Sequence, residues 1–290
     1  MLFFDTIDWT PYRMGRAYYE MQNYDKAIEY YQKAIDIDSY DAEVYRNMGL
    51  LYYKIEDYDK AIEYYQKVIN LEPKDARAYR YMGYTYDEIE DYDKAMKCYQ
   101  KAIELEPDNE WTAWAYCNLG DIYGEMQDYD KTIECYQKAI DIDPNNVEAY
   151  RYMGFAYYKI KDYNKEIECY QKVINLEPKD AWAYRNMGHT YDKIEDYDKA
   201  IECYQKAIEL NPNCASDYSN IGDAYYKIED YDKAIKCYQK AIKLEPDNAL
   251  AHFNIKATYY KMEDYDKAIK CYQKAIDIDP NYEKAKKNKE

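Results

Sequence analysis

Two histidines, His189 and His252, are all the imidazole the chain has. No serine or cysteine nucleophile is set at a spacing that would pair it with a base, and no glycine-rich phosphate loop or metal-spaced cluster appears. Carboxylates are abundant but fall in charged turns, where solvent keeps them ordinary. The eight cysteines would matter chemically only if they met. Cys98, Cys135, Cys169, Cys203, Cys237 and Cys271 instead recur at a step of 34 residues after one step of 37. Equivalent places in stacked units sit roughly 10 Å apart by helix-packing distances, whereas a disulfide needs Cα atoms within about 7 Å. The thiols are therefore expected to be reduced core residues. No catalysis, cofactor or metal is expected.

What remains is recognition chemistry. The seven arginines, Arg13, Arg16, Arg46, Arg77, Arg80, Arg151 and Arg185, gather in one variable set of places, while the lysines lie mostly on turns and acid-rich helices. Arginine captures carboxylates bidentately and stacks on aromatic rings. The same places carry Asn47, Asn118, Asn186, Asn220 and Asn254, together with Tyr81, Tyr84, Tyr152, Phe155 and Trp182. An asparagine amide both donates and accepts, so a ladder of them can clasp an extended backbone without reading its side chains. The candidate peptide-binding set is Arg16, Arg46, Asn47, Arg77, Arg80, Tyr81, Tyr84, Asn118, Arg151, Tyr152, Arg185, Asn186, Asn220 and Asn254.

The elements that must position these residues form a repeat. Gly15, Gly49 and Gly83 are 34 apart, and after a three-residue slip Gly120, Gly154, Gly188 and Gly222 keep the same step. Pro73, Pro107, Pro144, Pro178, Pro212, Pro246 and Pro280 each close a unit. The units run 8–41, 42–75, 76–109, 113–146, 147–180, 181–214, 215–248 and 249–282, with Glu110, Trp111 and Thr112 inserted. Apolar residues at i, i+3, i+4 and i+7, such as Tyr45, Met48, Gly49 and Tyr52, predict a first amphipathic helix in each unit. Ala61, Tyr65 and Val68 predict a second, with Asp57 and its equivalents capping its start. A mid-helix glycine costs about 1 kcal/mol against alanine, so its return implies close helix contact, with Ala27, Ala61 and Ala95 expected as the small partners. Thr10 with Pro11 is expected to open the first helix.

Tyr45, Met48-Gly49, Tyr52, Ala61, Tyr65, Val68 and Pro73 together resemble the tetratricopeptide repeat, and the likeness covers 8–282. It implies an all-α superhelical solenoid of stacked antiparallel helix pairs, a single domain over 1–290. First helices would line a concave groove, second helices would form the back, and family members with long superhelices hold peptide backbones with equivalent asparagines. Residues 283–290 resemble a polar end cap, and Leu2, Phe3 and Phe4 would cover the other end. Asn47 and Arg77 fall on two places of the family's carboxylate clamp for chaperone tails, but Tyr12, Tyr81 and Arg16 depart from it.

Several places break the pattern. Lys256 replaces a glycine, so the last helix pair is expected to splay or fray. Thr132 and Glu166 replace the small alanine, and Glu166 is expected to reach solvent. Trp111 and Trp114 are expected one turn apart on a lengthened first helix, covering a packing gap or making a second partner site. The formal net charge of −17 repels nucleic acid and anionic membranes, and no apolar run has the length of a membrane span. The expected protein is a cytoplasmic scaffold whose groove holds another protein or peptide, extended and acidic or carboxylate-bearing. Four arginines at the fifth place, Arg46, Arg80, Arg151 and Arg185, are expected to be exposed there. Self-association through the repeat ends, or service as the regulatory arm of a larger protein, is the alternative.

Overall fold

The computed structural model describes residues 10–107 and 109–279. Contacts divide the chain into two compact units, Met1–Pro144 and Asn145–Glu290, and the division falls at the close of the fourth repeat. The first unit contains α1 (Pro11–Glu20), α2 (Tyr24–Ile37), α3 (Ala42–Lys54), α4 (Tyr58–Leu71), α5 (Ala76–Glu88), α6 (Tyr92–Leu105), α7 (Glu110–Glu125) and α8 (Tyr129–Ile142). The second contains α9 (Val147–Lys159), α10 (Tyr163–Leu176), α11 (Ala181–Lys193), α12 (Tyr197–Leu210), α13 (Ala215–Lys227), α14 (Tyr231–Leu244), α15 (Ala249–Lys261) and α16 (Tyr265–Ile278). Within each unit the helices pack in consecutive pairs, each pair against the next, and no strand occurs among the described residues.

Each turn inside a pair is made the same way. The Asp57 amide donates to the Tyr52 carbonyl and the Glu56 amide to the Tyr53 carbonyl, which closes α3 in the six-to-one, five-to-two pattern of a helix end. That pattern needs a left-handed residue. Glycine is usual there, but here Gln22, Glu56, Glu90, Gln127, Lys161, Glu195, Glu229 and Glu263 take it at φ of 57 to 65°. Asp57 then turns its carboxylate onto the Lys60 amide and starts α4. Thr10 caps α1 in the same manner with Pro11 in the first turn.

The recurrent glycine faces a ring. A Cβ on Gly49 would lie 2.5 Å from Tyr65 and one on Gly222 2.5 Å from Tyr238, and Gly15, Gly83, Gly120, Gly154 and Gly188 similarly meet Tyr31, Tyr99, Tyr136, Tyr170 and Tyr204. The small residue thus makes room for a large aromatic side chain, not for alanine as the pattern predicts. Ala27, Ala61 and Ala95 are buried in the same cores but do not fill that space. Tyr31, Tyr65, Tyr99, Tyr170, Tyr204 and Tyr238 are the largest fully buried side chains among the described residues. Their rings supply apolar area that Val68, Met48 and Leu51 complete in the first unit and Val173, Ala183 and Met187 in the second.

Two expectations are corrected here. The pair holding Lys256 does not splay: α15 packs on α16 as the earlier pairs do, because the lysine stem bends and its ammonium lies over Phe253 at 4.4 Å and Tyr272 at 4.9 Å. Glu166 does not reach solvent either. It is 3% exposed, its Oε2 has no partner, and burial pushes its pKa up to about 7. Thr132, the other large substitute, satisfies its hydroxyl on the Asp128 carbonyl at 3.0 Å. All eight cysteines are free thiols, and burial drives Cys98, Cys169 and Cys203 up to about 12. Residues 1–9 and 280–290, where Leu2, Phe3, Phe4 and the polar cap were placed, lie outside the described residues.

Candidate peptide-binding face

The fifth-place arginines are not exposed, which corrects the expectation that they line an open cationic surface. Arg46 on α3 is 4% exposed and reaches forward to Asp75, the residue that caps α5. One Asp75 oxygen accepts the Arg77 and Ala78 amides at 2.9 and 3.2 Å, and the other accepts Arg46 Nε at 3.1 Å. In the second unit Arg151 repeats this clip on Asp180, Nε at 3.1 Å and Nη2 at 2.7 Å, while Asp180 caps α11. Cys214 stands where the next cap would be and makes no side-chain cap, so Arg185 moves on to the fully buried Asp217. Arg80 also lacks an aspartate one repeat on, and its guanidinium lies over the inserted Trp111 ring at 4.1 Å. The cause is common to all four: the fifth place sits at the joint between repeats, where a planar charged fork finds a buried acceptor or a ring.

Arg16 and Arg77 remain exposed, Arg16 beside Glu20 at 3.3 Å and Arg77 beside Asp75 at 3.8 Å. The sixth-place asparagines divide into two kinds. Asn118 and Asn186 donate to carbonyls one turn back on their own helices, Trp114 at 2.7 Å and Trp182 at 2.8 Å. Asn47 does the same to Glu43 at 2.7 Å and also reaches the Tyr12 hydroxyl on α1 at 3.3 Å. Asn220 and Asn254 instead cross to the preceding first helix, to His189 Nε2 at 3.4 Å and Asp223 Oδ1 at 2.9 Å. Tyr81 packs on the buried Tyr65 ring at 5.9 Å, and Tyr84 stands between Tyr53 at 5.2 Å and Trp114 at 5.8 Å.

The ninth place carries polar groups that the candidate set missed. Buried tyrosines of the second helices pass their hydroxyls between first helices to this place: Tyr204 to His189 Nδ1 at 3.0 Å, Tyr238 to Asp223 at 2.7 Å, and Tyr136 to Asp121. Two short chains, Tyr204–His189–Asn220 and Tyr238–Asp223–Asn254, therefore run from core to surface in the second unit. Burial holds His189 below its usual pKa, so its ring is neutral at pH 7. Among the described residues no group of His, Cys, Asp and Glu is placed to hold a metal.

Large apolar side chains are exposed on consecutive first helices of the second unit: Tyr152 at 51%, Phe155 at 47% and Trp182 at 41%. Trp182 meets the buried Tyr170 edge-on at 5.6 Å and borders an open depression of about 740 Å³ that Arg151, Glu177, Lys179, Asp180 and Arg185 help to line. The other recurrent exposed apolars, Ile55, Ile160 and Ile194 for example, are helix ends dictated by the turn. Tyr152, Phe155 and Trp182 belong to no such rule.

Family models of the tetratricopeptide repeat match residues 6–74, 40–105, 74–145 and 111–179, and again 181–214 and 249–282, and a TPR repeat model matches 222–263. The chain belongs to the tetratricopeptide repeat family. No curated protein matches it significantly. Among solved structures, MamA is 32% identical, with 57% of this chain and 97% of that one covered and a TM-score of 0.55. YrrB, described as a TPR protein with an unusual peptide-binding site, is 26% identical over 63% of this chain and 92% of its own, with a TM-score of 0.54. The C-terminal part of a TPR repeat-containing protein from Cytophaga hutchinsonii covers 84% of this chain and 99% of its own at a TM-score of 0.73, and at 21% identity it attests the fold alone.

As a tetratricopeptide repeat protein the chain is a protein-interaction scaffold. Its departures from regularity then become legible. The insertion at Glu110 lengthens α7 to 16 residues against the 13 of α5, and its two tryptophans part company. Trp111 takes up Arg80, while Trp114 joins the Tyr84 and Tyr99 rings. Among the described residues no helix is long and apolar enough to cross a membrane.

Proposed function

We propose that the first-helix face holds an extended segment of a partner protein, with Tyr152, Phe155 and Trp182 as apolar anchors and the sixth-place asparagines as backbone contacts. The observation that carries this is the exposure of three large rings at variable places of α9 and α11, which the fold does not require. First helices roughly 10 Å apart, set against a strand rise of about 3.3 Å, allot about three partner residues to each repeat. Asn186 supports the reading because its amide is held ready on its own helix and needs only a rotation to meet a partner carbonyl. The premise for an acidic partner is weaker, because the clips on Asp75, Asp180 and Asp217 neutralise Arg46, Arg151 and Arg185 and leave Arg16 and Arg77 as the exposed arginines of the candidate set.

The test is selection of random peptides displayed on phage against the whole chain. Hydrogen exchange on an enriched peptide complex should then show protection on α9 and α11. Tyr152→Ser, Phe155→Ser and Trp182→Ser together should lower affinity at least tenfold with the fold intact. Protection confined to the second helices, or unchanged binding by the triple variant, would refute the assignment.

A further inference from the structure

Among the second helices, α14 departs from the shared charge pattern. Each second helix carries a lysine that follows glutamine, and that lysine ordinarily has an acid on its own helix. Lys33, Lys67 and Lys138 hold Glu29, Glu63 and Glu134 one turn back, and Lys101 and Lys206 hold Glu104 and Glu209 one turn on. On α14 both of those places are lysine, Lys236 and Lys243, which no other second helix combines. Lys240 between them is left without either acid, and its ammonium lies over the Tyr218 ring at 5.3 Å. The helix thus carries four lysines against one aspartate, in a chain whose net charge is −17.

The change borders a depression of about 360 Å³ lined by residues of α12, α13 and α14. Ile208, Ile221, Tyr218 and Tyr225 give it an apolar surface. Its one acid, Glu209, is taken by Lys206, and Lys233 is taken by Asp230 at 2.7 Å. Lys236 and Lys240 line it too, both exposed and neither at ion-pair distance from a carboxylate among the described residues. Two ammonium groups without an ion-pair partner therefore share one open depression with aromatic and aliphatic surface.

We infer that this depression is a second docking site, which takes an acidic segment of a partner protein with a large apolar side chain on the rings and carboxylates on Lys236 and Lys240. The site uses none of Tyr152, Phe155 and Trp182 and does not depend on their role. Lys236 and Lys240 stand one turn apart, about 6 Å of helix rise, so neighbouring carboxylates of a short segment reach both. Exposed ion pairs are weak singly, and the apolar contact adds to the hold. The charge of the whole chain selects a small occupant. A Debye length of about 8 Å confines a short segment to the field of α14, whereas nucleic acid or an anionic membrane meets the acidic chain at large.

The probe is an acetylated, amidated peptide, Gly-Glu-Glu-Phe-Glu-Glu-Gly, titrated into the full chain at pH 7.5 and low salt while amide signals of α13 and α14 are followed. Replacing its four Glu by Gln, or its Phe by Gly, should weaken binding there at least fivefold, and equal affinity of either peptide would overturn the proposal. Lys236→Glu with Lys243→Glu gives α14 the sequence of α12 residue for residue, so this variant uses a helix that the chain already folds. It should bind the probe at least tenfold more weakly. Adding Glu63→Lys and Glu134→Lys in the first unit restores the net charge of −17 and should not restore binding. If it does, the attraction is diffuse and the site falls. Stronger perturbation of α13 and α14 by an oligothymidylate of equal charge would reassign the lysines to nucleic acid and overturn the protein partner. Perturbation of α9 and α11 alone would overturn this site while the first-helix reading stands.

Discussion

Glu166 offers the sharpest quantitative test of how these repeats pack. It occupies, on α10, the place that is Ala27, Ala61, Ala95, Ala200, Ala234 and Ala268 on other second helices, and it is as buried as they are. Burial raises its pKa from 4.5 to about 7. Thr190 faces it, but the Thr190 hydroxyl already gives its one proton to the Asn186 carbonyl at 2.9 Å. The carboxyl must therefore supply the proton of any bond between them, which also favours its neutral form. The raised pKa makes the sign definite. Ionisation costs the folded state nothing below about pH 4.5, where both states are protonated; the cost grows as pH rises from about 4.5 and is complete above about 7. Its ceiling is about 3 kcal/mol, and about half that once water reaching the carboxylate is allowed for. Glu166→Gln keeps the shape and cannot ionise. Its stability relative to the parent should be near zero at pH 4.5 and rise by about 1.5–3 kcal/mol at pH 8.5. Urea unfolding at both pH values, with native-state hydrogen exchange over α10 and α11, reads the difference. A Glu166→Gln effect that is the same at both pH values would refute the burial argument.

Arg46→Ala should destabilise the chain by about 3 kcal/mol or more, because it leaves the Asp75 carboxylate buried without its cation, whereas Arg16→Ala should fall within about 0.5 kcal/mol of the parent in the same urea titration. Equal effects would mean that the clip does not stabilise the joint between repeats. Gly222→Ala places a methyl 2.5 Å from the Tyr238 ring and should cost about 1–3 kcal/mol. Gly124→Ala, whose nearest neighbour is Thr132 Oγ1 at 3.8 Å, should instead raise stability by about 0.5–1 kcal/mol, and a loss at Gly124 would contradict the space assigned there.

Residues that act inside one repeat were readable from the sequence. Gly49, Pro73, Asp57 and the i, i+3, i+4 stripes fix helix ends and buried faces by local rules, and the helices follow. What the pattern could not show was any interaction whose partner lies one repeat away. Arg46 and Asp75 are 29 residues apart, as are Arg151 and Asp180, so a cap aspartate looks complete by itself and an arginine on the variable face looks available. The signal was present as a constant separation between a fifth-place arginine and the next cap. Glu166 failed for a related reason: a carboxylate on an amphipathic helix is normally turned outward, and only the packing of α11 over α10 shuts it in. The ninth-place polar groups escaped notice because their partners are tyrosine hydroxyls 15 residues on, which look apolar in a hydrophobic stripe.

These long-separation contacts bear on function through charge. A repeat stack has little interior, so a cation at a joint can serve either the next repeat or a partner, and Arg46, Arg151 and Arg185 serve the next repeat. Each such clip removes one positive group from the face that the variable places present. The net charge of −17 is consequently not inverted at the places where those arginines stand. A field of that sign speeds the approach of basic segments and opposes acidic ones before any contact forms. Apolar anchors such as Trp182 can hold a segment of either charge. Between two partners of equal apolar content, a field of that sign favours the cationic one.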